Sequence, residues 1–121
     1  MYPPIYPAVA ASSAVKALIG GNPVRFYQFG LADKKAPLPY VVWQRSFGAP
    51  ENYLGDTPDA DSFTVMVDVY ASSADSARSV AAAVRDAIEP FAYITAWLGE
   101  TIDPDTKNNR FSFQVDWIVP R

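Results

Sequence analysis

From Phe63 to Ala71 apolar side chains occupy every second position, with Phe63, Val65, Val67 and Val69 on one face and Thr64, Met66, Asp68 and Tyr70 on the other. This period of two predicts a strand with one buried face. The last stretch repeats it: Phe111, Phe113, Val115, Trp117 and Val119 alternate with Arg110, Ser112, Gln114, Asp116 and Ile118. Between them the period changes to that of a helix, and Ala77, Val80, Ala81, Val84 and Ile88 make one apolar stripe. Ser72 and Asp75 have the spacing of a capping box, which places the predicted N-cap at Ser72, and Pro90 blocks continuation.

Weaker patterns complete the order. Pro7 stands where a first helical residue belongs, and Ala8 to Ile19 carries Ala11, Val15 and Leu18 on one side before Gly20-Gly21. "VRFYQF" (24–29), "YVVWQRSF" (40–47) and "FAYITAWL" (91–98) are rich in strand formers, and Pro37 and Pro39 must precede the second of these. "GETIDPDTKNN" reads as the turn of a final hairpin. The order α-β-β-β-α-β-β implies a single α+β domain: a mostly antiparallel sheet of about five strands with two helices on one face. A flexible N-terminus over residues 1–6 and a long loop over 48–61 are expected at its margins. That loop, "GAPENYLGDTPDAD", holds two prolines, two glycines and four acidic residues, and loops of this length in compact domains are often functional.

At 121 residues and 50% hydrophobic content, the chain is sized for one real core. A net charge of -3 does not predict nucleic-acid binding, which usually needs a clustered basic face, and leaves only a passive role around DNA. The absence of cysteine and histidine removes disulfides, thiolate chemistry, imidazole bases and the common zinc sites. No apolar run approaches a membrane span, and the proline-rich N-terminus lacks the basic start of a signal peptide, so a soluble protein without membrane contact is expected.

Candidate chemistry is sparse. Asp56, Asp59 and Asp61 do not follow a calcium-loop spacing, and "DPDTKNN" from Asp103 is rich in turn formers. Asp68 and Asp116 fall at the same place in two similar strands, as an acid-base pair would, but on an open sheet face rather than in a cleft. Directly opposed carboxylates repel, so the two are expected to be offset or answered by a base. Ser12, Ser13, Ser72 and Ser73 suit helix ends better than nucleophiles. No enzyme, metal or cofactor is expected. Tyr2, Tyr6, Tyr53 and Tyr70 have no core to enter by pattern, and exposed aromatics favour protein interfaces.

Two motifs go further. "PLPYVVWQ" (37–44) and "VMVDVYASSADSARSVAAAVRDAI", with its strand-serine-helix junction, resemble the tail-terminator or tail-completion proteins of long-tailed bacteriophages. The resemblance runs from the first helix to the final strand. It implies a virion protein, assembled in the host cytoplasm, that closes the neck end of the tail as a ring of identical subunits, a hexamer. Such a ring would cap the tail tube protein, stop polymerisation, meet the head-completion or connector protein, and let DNA pass its lumen without specific binding. On this reading Met66, Asp68, Tyr70 and Ile118, with Asn52, Tyr53 and Leu54 of the loop, form subunit or tail-tube contacts, and Asp116 is a contact or lumen charge. Other neck, minor tail or head-completion roles remain open, as does a small binding domain with a pocket lined by Asp68, Asp116 or Arg45.

Overall fold

The computed structural model describes residues 4–21, 24–30, 37–50, 60–104 and 106–120. Among them the elements run α1 (Ile5–Ala10), α2 (Ser13–Ile19), β1 (Phe26–Gln28), β2 (Tyr40–Pro50), β3 (Ala60–Ala71), α3 (Ala74–Ile88), β4 (Tyr93–Ile102) and β5 (Asn109–Pro120). The strands form one sheet in the order β1-β2-β3-β5-β4, with β1 parallel to β2 and every other pair antiparallel. The α+β class and the mostly antiparallel sheet agree with the sequence reading.

The expected first helix is two helices. Ser12 adopts an extended backbone (φ -81°, ψ 122°) and accepts a hydrogen bond from the Val15 N–H, so it caps α2 and ends the preceding turn. The break resets the helical phase, and Ile5, Val9, Val15 and Ile19 become the buried positions while Ala11 and Leu18 are exposed. Helix begins before Pro7, and Ile5 and Tyr6, expected in a flexible arm, belong to α1, with Ile5 fully buried. Residues 1–3 lie outside the described residues.

Helix α3 buries the stripe read from its period: Ala77, Val80, Ala81, Val84 and Ile88. Its N-cap is Ser73 rather than Ser72, since the Ser73 hydroxyl accepts from the Ser76 N–H. Asp75 in the first turn and Arg85 in the last oppose the helix dipole. This stripe meets Val65, Val67 and Val69 of β3 and Phe113, Val115 and Trp117 of β5 in one core, and each fully buried valine or isoleucine stabilises the fold by roughly 1.5–3 kcal/mol.

Strand ends differ from expectation. β2 continues through Pro50 and β3 starts at Ala60, with Pro50 opposite Asp61, so both ends of the expected 48–61 loop are paired strand. Residues 51–59 lie outside the described residues. β1 is shorter than 24–29, and Phe91 stands in the turn after α3, exposed, with β4 starting at Tyr93. β4 then runs through Gly99 to Ile102, which had been read as turn, and the turn proper is closed by Asp103: its N–H donates to the Asn108 carbonyl and its carboxylate accepts from the Thr106 N–H.

Three bulges could not be read from local pattern. One residue is inserted in β2 between Arg45 and Phe47, and β4 carries two, at Thr95 and Leu98. Each reverses the alternation beyond it. Trp97 therefore lies opposite Phe113 on the helix side, edge-on to Phe111 at 5.7 Å, while Glu100 is placed to meet Arg78 of α3.

Candidate functional site

The sheet face away from the helices is built by register. Tyr40, Tyr70 and Arg110 lie side by side on β2, β3 and β5, followed by Val42, Asp68 and Ser112, then by Gln44, Met66 and Gln114. Thr64, Asp116 and Tyr93 come next, and Ser62 with Ile118 completes the face. Met66, Asp68, Tyr70, Ile118 and Asp116 thus share one surface, as their alternation required. Asn52, Tyr53 and Leu54 lie outside the described residues.

The two aspartates are offset. Asp68 lies four positions along β3 from Thr64, the partner of Asp116, a span of about 13 Å. Each has its own hydroxyl: Ser112 Oγ donates to Asp68 Oδ1, and Thr64 Oγ1 donates to Asp116 Oδ1 at 3.1 Å. A working carboxylate pair stands roughly 5–10 Å apart, so these do not constitute one. They are charges held in place by neighbouring strands.

At one end of the face Tyr40 stacks on Tyr70, with ring centroids 5.2 Å apart and planes 21° from parallel, and meets Tyr27 edge-on at 6.2 Å. Burial first, then the neighbouring Tyr70, Asp103 and Tyr27, push the Tyr40 hydroxyl above its ordinary range. The β4–β5 turn stands beside this cluster, and together they bound a depression of about 400 Å³ lined by Phe29, Tyr40, Asp68, Tyr70, Asp103 and Arg110, among others. Asp68 reaches it; Asp116 and Arg45 do not. The Arg45 guanidinium instead lies 5.8 Å over the Phe63 ring. At the opposite end Ile118 is 50% exposed and borders an apolar groove of about 460 Å³ with Pro4, Pro7, Ala8, Phe91 and Trp117.

Among the described residues no three His, Cys, Asp or Glu side chains group as metal ligands, and no helix is long and apolar enough to cross a membrane. Sequence reasoning found the polar-apolar mixture of the face but missed its tyrosine stack, because Tyr27 and Tyr40 come from strands whose neighbours are set by pairing. It also missed the groove, to which α1 contributes Pro7 and Ala8, and its two caps Pro4 and Ala11.

The face is that of a scaffold: two pinned charges, an aromatic stack and an apolar end, spread across three strands rather than gathered in a cleft. Sequence comparison agrees. Residues 3–120 match the family described as Tail completion protein gp17, and the chain belongs to that family. It is therefore a structural protein of a bacteriophage tail. No curated protein matches the chain. Among solved structures, it is similar in fold to a chain of the virion of a native gene transfer agent particle, with a TM-score of 0.64 and 17% identity over 97% of this chain and 92% of that one.

Proposed function

We propose that this protein closes the neck end of a completed tail tube as a hexameric ring. It stops further addition of the major tail tube protein and offers the surface on which the head-completion or connector protein docks. It performs no enzymatic step, and its assembly takes place in the host cytoplasm. The family match across residues 3–120 carries the reading, and the uncovered sheet face supports it.

A docking surface needs apolar area for affinity and fixed charges for register. Met66, Tyr70 and Ile118 supply the first, and Asp68 and Asp116 the second. Acidic groups also suit a lumen through which DNA slides, since they repel phosphate. Asn52, Tyr53 and Leu54, between the paired ends of β2 and β3, reach a neighbouring subunit or the tube in this scheme.

The test is tube polymerisation with and without the protein, followed by electron microscopy and native mass spectrometry of capped ends. Fixed tube lengths with six copies per end support termination. Tubes that bind the protein yet keep growing would make it another neck or minor tail component. Replacing Tyr53 and Leu54 by serine weakens capping and leaves the melting temperature unchanged if the loop makes contact; unchanged capping removes the loop from the scheme.

A further inference from the structure

The two edges of the sheet are chemically unlike. The β4 edge exposes Tyr93 (70%), Trp97 (51%), Leu98 and Ile102, an unusual amount of apolar surface for an edge strand. Beside it, between the C-terminal end of α3 and β4, lies a socket of about 350 Å³ lined by Ala92, Tyr93, Ile94 and Trp97, with Glu89 at its rim. The bulges at Thr95 and Leu98, and Gly99 at φ +107°, interrupt the ladder on this side. An incoming partner meets side chains there rather than a continuous row of backbone groups.

The β1 edge is the converse. β1 is three residues long, and among the described residues the apolar side chains exposed there are Leu18 of α2 and Phe29, which is 68% exposed. Arg25 lies beside Leu18, donating to its carbonyl oxygen. Residues 1–30 contain Lys16 and Arg25 and no acidic residue. Neither cation forms an ion pair among the described residues. On α3 and β4 the balance is reversed: Arg78 serves both Asp75 and Glu100, and Arg85 serves both Asp86 and Glu89, which leaves carboxylates in excess.

We infer that the lateral contact between subunits joins these two edges, the socket and acidic flank of α3 and β4 on one copy receiving Leu18, Phe29 and the Lys16–Arg25 cations of the next. This rests on the ring reading above and gives it a contact. The occupant is a second copy because one chain carries both halves, apolar on both sides and opposite in charge, at opposite ends of a single sheet. A two-fold contact through β4 would set carboxylate against carboxylate, so the pairing is head-to-tail, the kind that closes rings.

The experiment uses two variants altered only at exposed positions: Tyr93→Ser with Leu98→Ser at the socket edge, and Lys16→Glu with Leu18→Glu at the other. Circular dichroism and melting confirm that both remain folded. Native mass spectrometry is run on wild type, each variant and their equimolar mixture, with and without purified tail tubes. Wild type forms rings, each variant alone is a monomer, and the mixture stops at a one-to-one heterodimer, because one native socket and one native knob remain and the other two edges repel. Variants that still form rings, or a variant that forms homodimers by itself, overturn the edge assignment while leaving the ring standing. Wild type that forms no ring even on tubes overturns the ring reading and, with it, this contact.

Discussion

On β3 the buried and uncovered faces differ by a single step along the chain. Val65, Val67 and Val69 are fully buried against α3, while Thr64, Met66, Asp68 and Tyr70 are half-buried by cross-strand neighbours alone. From Phe63 to Ala71 the buried face is apolar, with the buried Asp61 only at its end, and its cost of alteration is a cavity. The uncovered face mixes a thioether, two carboxylates and stacked tyrosines, and its polar groups are matched pair by pair across β3 and β5. One face is built to hold the fold, and the other keeps a defined surface without contributing much to it.

Several substitutions test this contrast, beginning with the greatest effect. Phe113→Ala empties a fully buried site that packs against Trp97 and lowers unfolding free energy by about 3–5 kcal/mol in urea titration, whereas Gln114→Ala on the next residue changes it by about 0.5 kcal/mol or less. A comparable loss at Gln114 would mean that the uncovered face is itself core. Ser112→Ala removes the hydroxyl that donates to Asp68 and costs about 1–2 kcal/mol, recovered in part in the Ser112→Ala/Asp68→Ala double variant if the pair is coupled.

At the junction between the two regimes, Ser73→Ala removes the α3 cap and costs about 1 kcal/mol, while Ser72→Ala stays within about 0.5 kcal/mol by thermal melting. Equal losses would return the cap to shared duty. The smallest effect concerns pH. The Tyr40 hydroxyl is held above its ordinary value in the folded chain, so the unfolded chain gives up this proton first. Its contribution to stability is whole below about pH 10 and is lost as pH rises through the folded value. Tyr40→Phe therefore flattens the alkaline fall in stability, seen in melts across that range; an unchanged slope would assign the fall to other groups.

Much of this architecture was legible before any coordinate. The stripe Ala77, Val80, Ala81, Val84 and Ile88, the alternation of β3 and the core half of β5 are local periodicities imposed by one buried face. Candidate residues Met66, Asp68, Tyr70, Asp116 and Ile118 followed from the same alternation, and their shared surface is a direct consequence of antiparallel pairing. The weak points were phase changes. Ser12 was read as a helix-end residue in general terms but not as the break that turned Leu18 outward and Ile19 inward. The inserted residue Thr95 moved Trp97 onto the helix side, where Phe113 receives it, and the second, Leu98, restored the original phase, so that Glu100 meets Arg78.

The chain's periodicity determined the core positions of β3, α3 and β5, how many strands and layers there are, and that the second face of β3 is not purely polar, because hydrophobic repeat and side-chain chemistry are local properties. Strand order was decided in three dimensions. It put β5 between β3 and β4, set Asp68 and Asp116 far apart with separate hydroxyl partners, and left an acidic, apolar β4 edge opposite a basic β1 edge. Pairings between residues tens of positions apart are chosen by the energy of the whole sheet, and no single stretch of sequence records that choice.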